Sequence, residues 1–182
     1  MTNALIILAD GFEELEAVTV SDLFVRAGIE VTRAGLHDGP VTASRHTKII
    51  PDCELDDVAS EDFDVVVLPG GLPGADALAD DPRVIELVQT QVANNMLMAA
   101  ICAAPRVLIK AEVVTDKQLT CYPGALDDFD TRDCNITGDA ITIDLPLVTS
   151  RGPGTAIDFT LTLIELLLDK DTRDMVETGL AR

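Results

Sequence analysis

The chain has 182 residues, 47% of them hydrophobic, with 32 acidic against 13 basic side chains and a formal net charge of −19. That length fits one domain with its own core, which needs no metal or disulfide to hold it together. The charge argues against nucleic acid and anionic membrane surfaces as partners, and with no Trp and 3% aromatics there is no platform for stacking bases.

Ala4 to Ala9 is a continuous apolar run of strand length, of the kind buried on both faces of a parallel sheet. It is short, lacks a basic flank and meets Asp10, so it does not read as a signal peptide. No segment reaches the ~20 apolar residues of a membrane span. The expectation is a cytoplasmic protein whose four cysteines, Cys53, Cys102, Cys121 and Cys134, are thiols. Asp10-Gly11 breaks the first run. Glu13 to Arg26 has helical spacing, with Leu15, Val18, Leu23 and Phe24 as apolar contacts and Gly28 just beyond the end. Ile29 to Ala34 completes a βαβ opening. Val41 to Ile50 reads as a β-hairpin, and Asp64 to Leu68 as a buried parallel strand ending in Pro69-Gly70-Gly71. A helix follows over Pro82 to Asn94. Met98 to Ile101 is a short strand leading into Cys102 and a helix from Ala103 to about Lys110. Leu119 to Tyr122 and Ala140 to Leu145 read as strands. Leu147 to Ser150 leads into Arg151-Gly152-Pro153-Gly154, then a long helix over Thr155 to Leu168 and a short one over Asp171 to Thr178.

Strands alternate with helices throughout, and no linker, repeat or low-complexity tract interrupts them. The pattern predicts one α/β domain over residues 1–182, with a doubly wound, mostly parallel sheet between two layers of helices. Sites in such sheets lie at the carboxyl ends of strands, so Asp10-Gly11, Pro69-Gly70-Gly71 and Ile101-Cys102-Ala103 should converge.

Cys102 is the sharpest chemical feature. A small-residue turn from strand to helix is the setting of a nucleophile elbow, and the N–H groups of the following helix favour a thiolate. An inert core cysteine is the competing reading. Glu16 follows Leu15 and precedes Ala17 and Val18, where a helix face turns inward; a desolvated carboxyl there would stay protonated and bond a thiolate. Glu13 and Glu14 read as an acidic first turn favouring the helix dipole, and the residues alone leave that reading open for Glu16 too. Gly70 and Gly71 can bring N–H groups to an oxyanion, and Arg151 can hold an anion beside the last long helix. His37 and His46 fall in a polar loop and the hairpin, where solvent-facing side chains are expected. Neither a phosphate-binding P-loop nor a dinucleotide fingerprint occurs, and no C-x-x-C pair supports zinc, so neither cofactor nor metal is expected.

Taken together, Gly11-Phe12-Glu13-Glu14-Leu15-Glu16, Asp64 to Gly71, Ala99 to Pro105 and Thr149 to Thr155 resemble the ThiJ/PfpI superfamily over nearly the whole chain, in its small DJ-one (Parkinson-associated, ThiJ-type) branch. The resemblance implies a flavodoxin-like three-layer sandwich and a homodimer. It marks Cys102 as an oxidation-sensitive nucleophile and Glu16 as its protonated partner. Gly71 and Ala103 match positions whose N–H groups line the pocket. Arg26 and Arg45 match arginines near the pocket and dimer interface, and Arg151 matches the arginine of the Thr-Ser-Arg-Gly-Pro-Gly stretch. The activities implied are glyoxalase-type conversion of methylglyoxal to lactate or removal of early glycation adducts, assisted by Glu16; the alternative is a redox sensor or holdase chaperone governed by Cys102 oxidation. The substrate is then a small 2-oxoaldehyde or a glycated molecule. Three departures stand out. Ala103 replaces the histidine that follows the cysteine in protease-like relatives, which argues against a peptidase. Tyr122 replaces the histidine of the human-type Thr-His-Pro stretch, and Leu72 its asparagine. No histidine follows His46, which excludes a glutamine amidotransferase.

Overall fold

A computed structural model describes residues 1–182. In chain order its elements are β1 (Asn3–Leu8), α1 (Glu14–Arg26), β2 (Glu30–Gly35), β3 (Val41–Thr42), β4 (Lys48–Ile49), β5 (Cys53–Glu54), α2 (Leu55–Val58), β6 (Val65–Leu68), α3 (Leu72–Asp80), α4 (Pro82–Ala93), β7 (Leu97–Ile101), α5 (Pro105–Lys110), β8 (Gln118–Leu119), β9 (Asn135–Ile136), β10 (Ile141–Asp144), β11 (Leu147–Ser150), α6 (Ala156–Leu167) and α7 (Lys170–Gly179). Seven strands form the central sheet in the order β10-β11-β7-β6-β1-β2-β5, parallel everywhere except between β10 and β11. β3 and β4 make the expected hairpin.

β1 shows why the sheet needs both helical layers. Ala4, Ile6 and Leu8 face one core and Leu5, Ile7 and Ala9 the other, and all six are buried. A run with period-two side chains and, beyond Asn3, no polar residue has no face to give to water. The first core is closed by α1 and α6, the second by α3, α4 and α5. The chain leaves β1 through α1 to β2 on one side, while β6 pairs on the other side of β1. The loops after β1 and β6 therefore part at a topological switch point, where doubly wound sheets leave a crevice.

Three expectations need correction. Leu15 and Val18 are about half exposed, and α1 instead buries Glu16, Ala17, Val20, Leu23 and Phe24. The inward face is the one that carries the carboxylate. The strand expected over Leu119 to Tyr122 stops at Leu119, where β8 pairs with β9 in a separate two-stranded sheet. Beyond it, the Tyr122 N–H turns to the Cys102 carbonyl at 2.8 Å. Finally, α3 was not expected, because Pro73 and Gly74 disguise its first turn; proline is tolerated there since that N–H has no intrahelical partner.

Gly71 starts α3 at φ 86°, and a methyl built on it would stand 2.2 Å from the Gly11 carbonyl oxygen and 2.7 Å from the Glu13 nitrogen. The loops after β1 and β6 touch here through backbone alone. Gly71→Ala should therefore lose about 2–4 kcal/mol, from left-handed backbone strain plus the clash. Urea unfolding should show a lower midpoint at unchanged slope; a wild-type midpoint would contradict this packing.

Candidate functional site

β7 ends in Ile101, and Cys102 follows with φ 64°, a left-handed conformation uncommon for a side chain of this kind. The turn is held from both sides. The Cys102 N–H donates to the Ser150 carbonyl at 2.9 Å, and its own carbonyl accepts from Tyr122. Strain of this kind persists only where the surroundings over-determine it, and it gathers at functional positions. The elbow aims the thiol at the loop after β6. There Gly70 passes so close that a Cβ would stand 2.5 Å from Cys102 Cβ and 2.9 Å from Glu16 Oε2.

Glu16 lies on the inner face of α1 and is fully buried. The Gly70 N–H donates to its Oε2 at 2.7 Å, while Oε1 has no hydrogen-bond partner. Burial pushes this carboxyl up to about 7, against the opposing pull of the Gly70 N–H and the Cys102 thiol. Burial also pushes the Cys102 thiol up, to about 12 beside an ionised Glu16, whose charge is the next largest cause. The Gly71 and Ala103 N–H groups act the other way on the sulfur but are outweighed. Burial and the neighbouring charge thus oppose the thiolate that the N–H groups beyond the elbow favour. Burial likewise raises Cys53, Cys121 and Cys134. Cys102 and Glu16 form a coupled pair that resists carrying two negative charges. A protonated Glu16 removes the repulsion and offers a hydrogen bond to the thiolate, so the single charge can rest on sulfur.

Cys102, Gly71, Ala103, Tyr122 and Arg45 line one cleft of about 500 Å³. Glu16 lies beneath it, sealed from solvent. The N–H groups of Gly71 and Ala103 make no other hydrogen bond and remain available there. Gly70 is corrected: its N–H serves Glu16 and is not offered to a ligand. Tyr122 is half exposed, with its ring against Gly152 and its phenol unbonded. Arg151 lies outside this cleft, in an adjoining depression that shares Tyr122, Pro123 and Pro153 with it. Arg26 does not reach the site. It ends α1 in an exposed pair with Asp22 at 2.8 Å, ten residues and so roughly 15 Å along the helix from Glu16. His37 and His46 are exposed as expected, and His37 pairs with Asp10 at 3.1 Å. No three His, Cys, Asp or Glu side chains are placed to hold a metal ion.

Sequence reasoning missed Glu13 and Ser44 as cleft residues. The β3–β4 hairpin folds over the start of α1, where Ser44 Oγ donates to Glu13 at 3.0 Å and Glu14 at 3.1 Å. The Ser44 and Arg45 N–H groups donate to the Phe12 carbonyl and the Glu14 carboxylate. Nothing in the local pattern of either segment announces this long-range clamp.

A stability signature follows from Glu16. Its proton is held more tightly in the folded protein, at about 7, than in an unfolded chain, at an ordinary 4.5. That contribution is fully present below 4.5 and is lost as pH rises through about 7, by about 3 kcal/mol. Glu16→Gln, which never ionises, should therefore gain on the wild type by about that amount between pH 4.5 and pH 8.5. Paired urea unfolding curves at the two pH values measure it, and an equal difference at both would show that Glu16 ionises freely.

Comparisons with known proteins place the fold. The model of the DJ-1/PfpI family matches residues 2–166. Protein dj-1beta of Drosophila melanogaster is 45% identical over 179 residues, 98% of this chain and 96% of that protein. Glutathione-independent glyoxalase DJR-1.2 of Caenorhabditis elegans is 37% identical over 166 residues, 91% of this chain and 88% of that protein. The crystal structure of Drosophila melanogaster DJ-1beta superimposes with a TM-score of 0.95 at 44% identity, covering 99% of this chain and 97% of that one. With the family model matched over 165 residues and a flavodoxin-like sheet that superimposes along its length, the chain belongs to the DJ-1/PfpI family, in its DJ-1 branch.

Proposed function

We propose that this protein protects the cell against reactive carbonyls by converting small 2-oxoaldehydes to hydroxyacids at Cys102, and that the same cleft removes their early adducts from amines. The observation that carries this reading is a fully buried carboxyl, Glu16, with one oxygen unpartnered, set against a thiol on a strained elbow at the floor of a cleft. A proton carrier works best when it titrates near the working pH, and burial brings Glu16 to about 7. The similarity to a Caenorhabditis elegans protein named as a glutathione-independent glyoxalase supports the same chemistry.

In this reading Glu16 takes the thiol proton, and the Cys102 sulfur adds to the aldehyde carbon. The carbonyl electron pair moves to oxygen, which receives the proton from Glu16, and a hemithioacetal results. The Gly71 and Ala103 N–H groups stabilise the negative oxygen as it forms. Glu16, now ionised, removes the hydrogen on that carbon as a proton, and the electrons left behind form a carbon–carbon double bond as the neighbouring carbonyl pair moves onto its oxygen, giving an enediolate. The hydroxyl proton of the first carbon passes to that oxygen, Glu16 returns its proton to the neighbouring carbon, and the first carbon becomes the carbonyl of a thioester. Water then cleaves the carbon–sulfur bond, releasing the hydroxyacid and restoring the thiol. Tyr122 orients substrate at the rim of the cleft.

A second reading has its own support. The unpartnered Glu16 oxygen and the two free N–H groups can receive the oxygens of a Cys102 sulfinate, which suits a redox sensor or holdase. Methylglyoxal incubation with lactate measurement separates the two. Wild type should form lactate slowly and Cys102→Ser none. Tyr122→His should raise the rate, and Tyr122→Phe should change it less than about threefold. No lactate from wild type, with mild peroxide converting Cys102 to sulfinate before the other three cysteines, would favour the sensor.

The protein also pairs as a homodimer in this proposal. Val18 and Val25 on the outer face of α1 line one groove with Ile50, which is 77% exposed, and Leu15 is exposed on the same helix; a contiguous apolar patch of this kind marks an interaction surface. Light scattering should give twice the chain mass of 19.4 kDa, and Val18→Glu with Val25→Glu should return it to one. A monomeric wild type would refute the pairing.

A further inference from the structure

Ten of the thirteen lysines and arginines lie within 4.0 Å of a carboxylate: Arg26, Arg33, Arg83, Arg106, Lys110, Lys117, Arg132, Lys170, Arg173 and Arg182. Arg45, Lys48 and Arg151 do not. With 32 acidic side chains in the chain, an arginine without a carboxylate partner is the exception, and two of the three exceptions open onto one surface. Arg45 lines the Cys102 cleft. Arg151 lines the depression of about 370 Å³ that adjoins it across Tyr122, Pro123 and Pro153. Arg151 spends one guanidinium N–H on the Gly138 carbonyl at 3.1 Å, which leaves four of its five donors. The floor of the depression is open, since a Cβ on Gly154 would meet nothing within 4 Å and one on Gly152 only the Tyr122 ring. Two lobes of about 500 and 370 Å³ on either side of one tyrosine suit a drug-sized ligand better than a three-carbon aldehyde.

We propose that the Arg151 depression is a second subsite, which binds the carboxylate of an amino-acid or peptide carrier whose aldehyde adduct lies over Cys102. This rests on Cys102 being the reacting group of the first lobe and adds the class of molecule that brings the aldehyde to it. A carboxylate fits better than a phosphate dianion. The guanidinium fork matches its two oxygens, and a single charge meets less repulsion from a protein of net charge −19. Adducts on free amino acids and chain termini would span both lobes, whereas a free 2-oxoaldehyde would use only the first.

The test reads occupancy at Cys102 without turnover, so failure of the glyoxalase chemistry leaves it intact. Alkylation of Cys102 by iodoacetamide is followed by mass spectrometry in the presence of N-acetylmethionine or its amide, which differ in charge at one end. In wild type the acid should protect at about one-tenth the concentration of the amide, the ratio expected when one charge-assisted hydrogen bond is worth ~1.4 kcal/mol. Arg151→Gln should bring the ratio close to one. Lys48→Gln removes the same charge from the hairpin outside the cleft and should keep the wild-type ratio. A wild-type ratio of one, a ratio retained in Arg151→Gln, or one lost equally in Lys48→Gln would overturn the proposal.

Discussion

The site depends on one hydrogen bond, from the Gly70 N–H to Glu16 at 2.7 Å. A carboxyl with no exposure is costly to ionise, and a single backbone donor offsets only part of that cost. The bond links the loop after β6 to the inner face of α1, and it fixes the carboxyl against the Cys102 elbow. It also leaves the other carboxyl oxygen free. Were both oxygens satisfied, the charge would be stable and Glu16 a structural anion. Were neither satisfied, the carboxyl would stay protonated throughout the physiological range. One donor holds the balance near neutrality, where a proton can move in either direction.

The neighbouring packing serves that contact. The Gly71 carbonyl accepts from Ala75 at the start of α3, and the Gly70 carbonyl accepts from Glu13 at the start of α1. Two helices on opposite faces of the sheet are thus tied to one glycine pair. The hairpin adds a third tie, through Ser44 to Glu13 and Glu14. Position is controlled chiefly by hydrogen bonds to backbone, whose geometry is fixed once the two helices start. Arg106, nearly buried, joins Asp76 of α3 to the Ala125 carbonyl and lies 5.4 Å from the Phe129 ring, so the loop carrying Tyr122 is held to the same frame.

Much of this was legible in the sequence, for reasons that differ by element. β1, β6 and β7 announce themselves because strands buried on both faces are apolar without a break. Their loops announce the crevice because Asp-Gly, Gly-Gly and a small-residue cysteine turn are poor choices for anything but sharp bends. The orientation of α1 was not legible. Leu15 and Val18 are the hydrophobic choices for the core, yet both face outward while Glu16 faces in. The rule that charged residues stay outside fails at the functional position; the neighbours of Glu16 raised the possibility, and the family resemblance singled it out. The clamp from Ser44 and the separation of Arg151 from the Cys102 cleft depend on contacts between segments far apart in sequence, which no local pattern encodes. Arg26 ends far from the cleft of its own chain, beside Val25 on the face of α1 proposed to pair.

The floor and the rim of the cleft differ in how freely they can vary over evolutionary time. At Gly70 and Gly71 a single added carbon meets neighbours at 2.5 and 2.2 Å. Nearly every substitution there is removed by loss of the fold before selection can act on chemistry. Leu72 and Tyr122, at the same opening, are 57% and 51% exposed and can change with little effect on stability. Descendants of this chain can therefore drift in what they accept while inheriting the reactive pair unchanged. Lineages that diverge through such rim positions will differ in diet before they differ in mechanism.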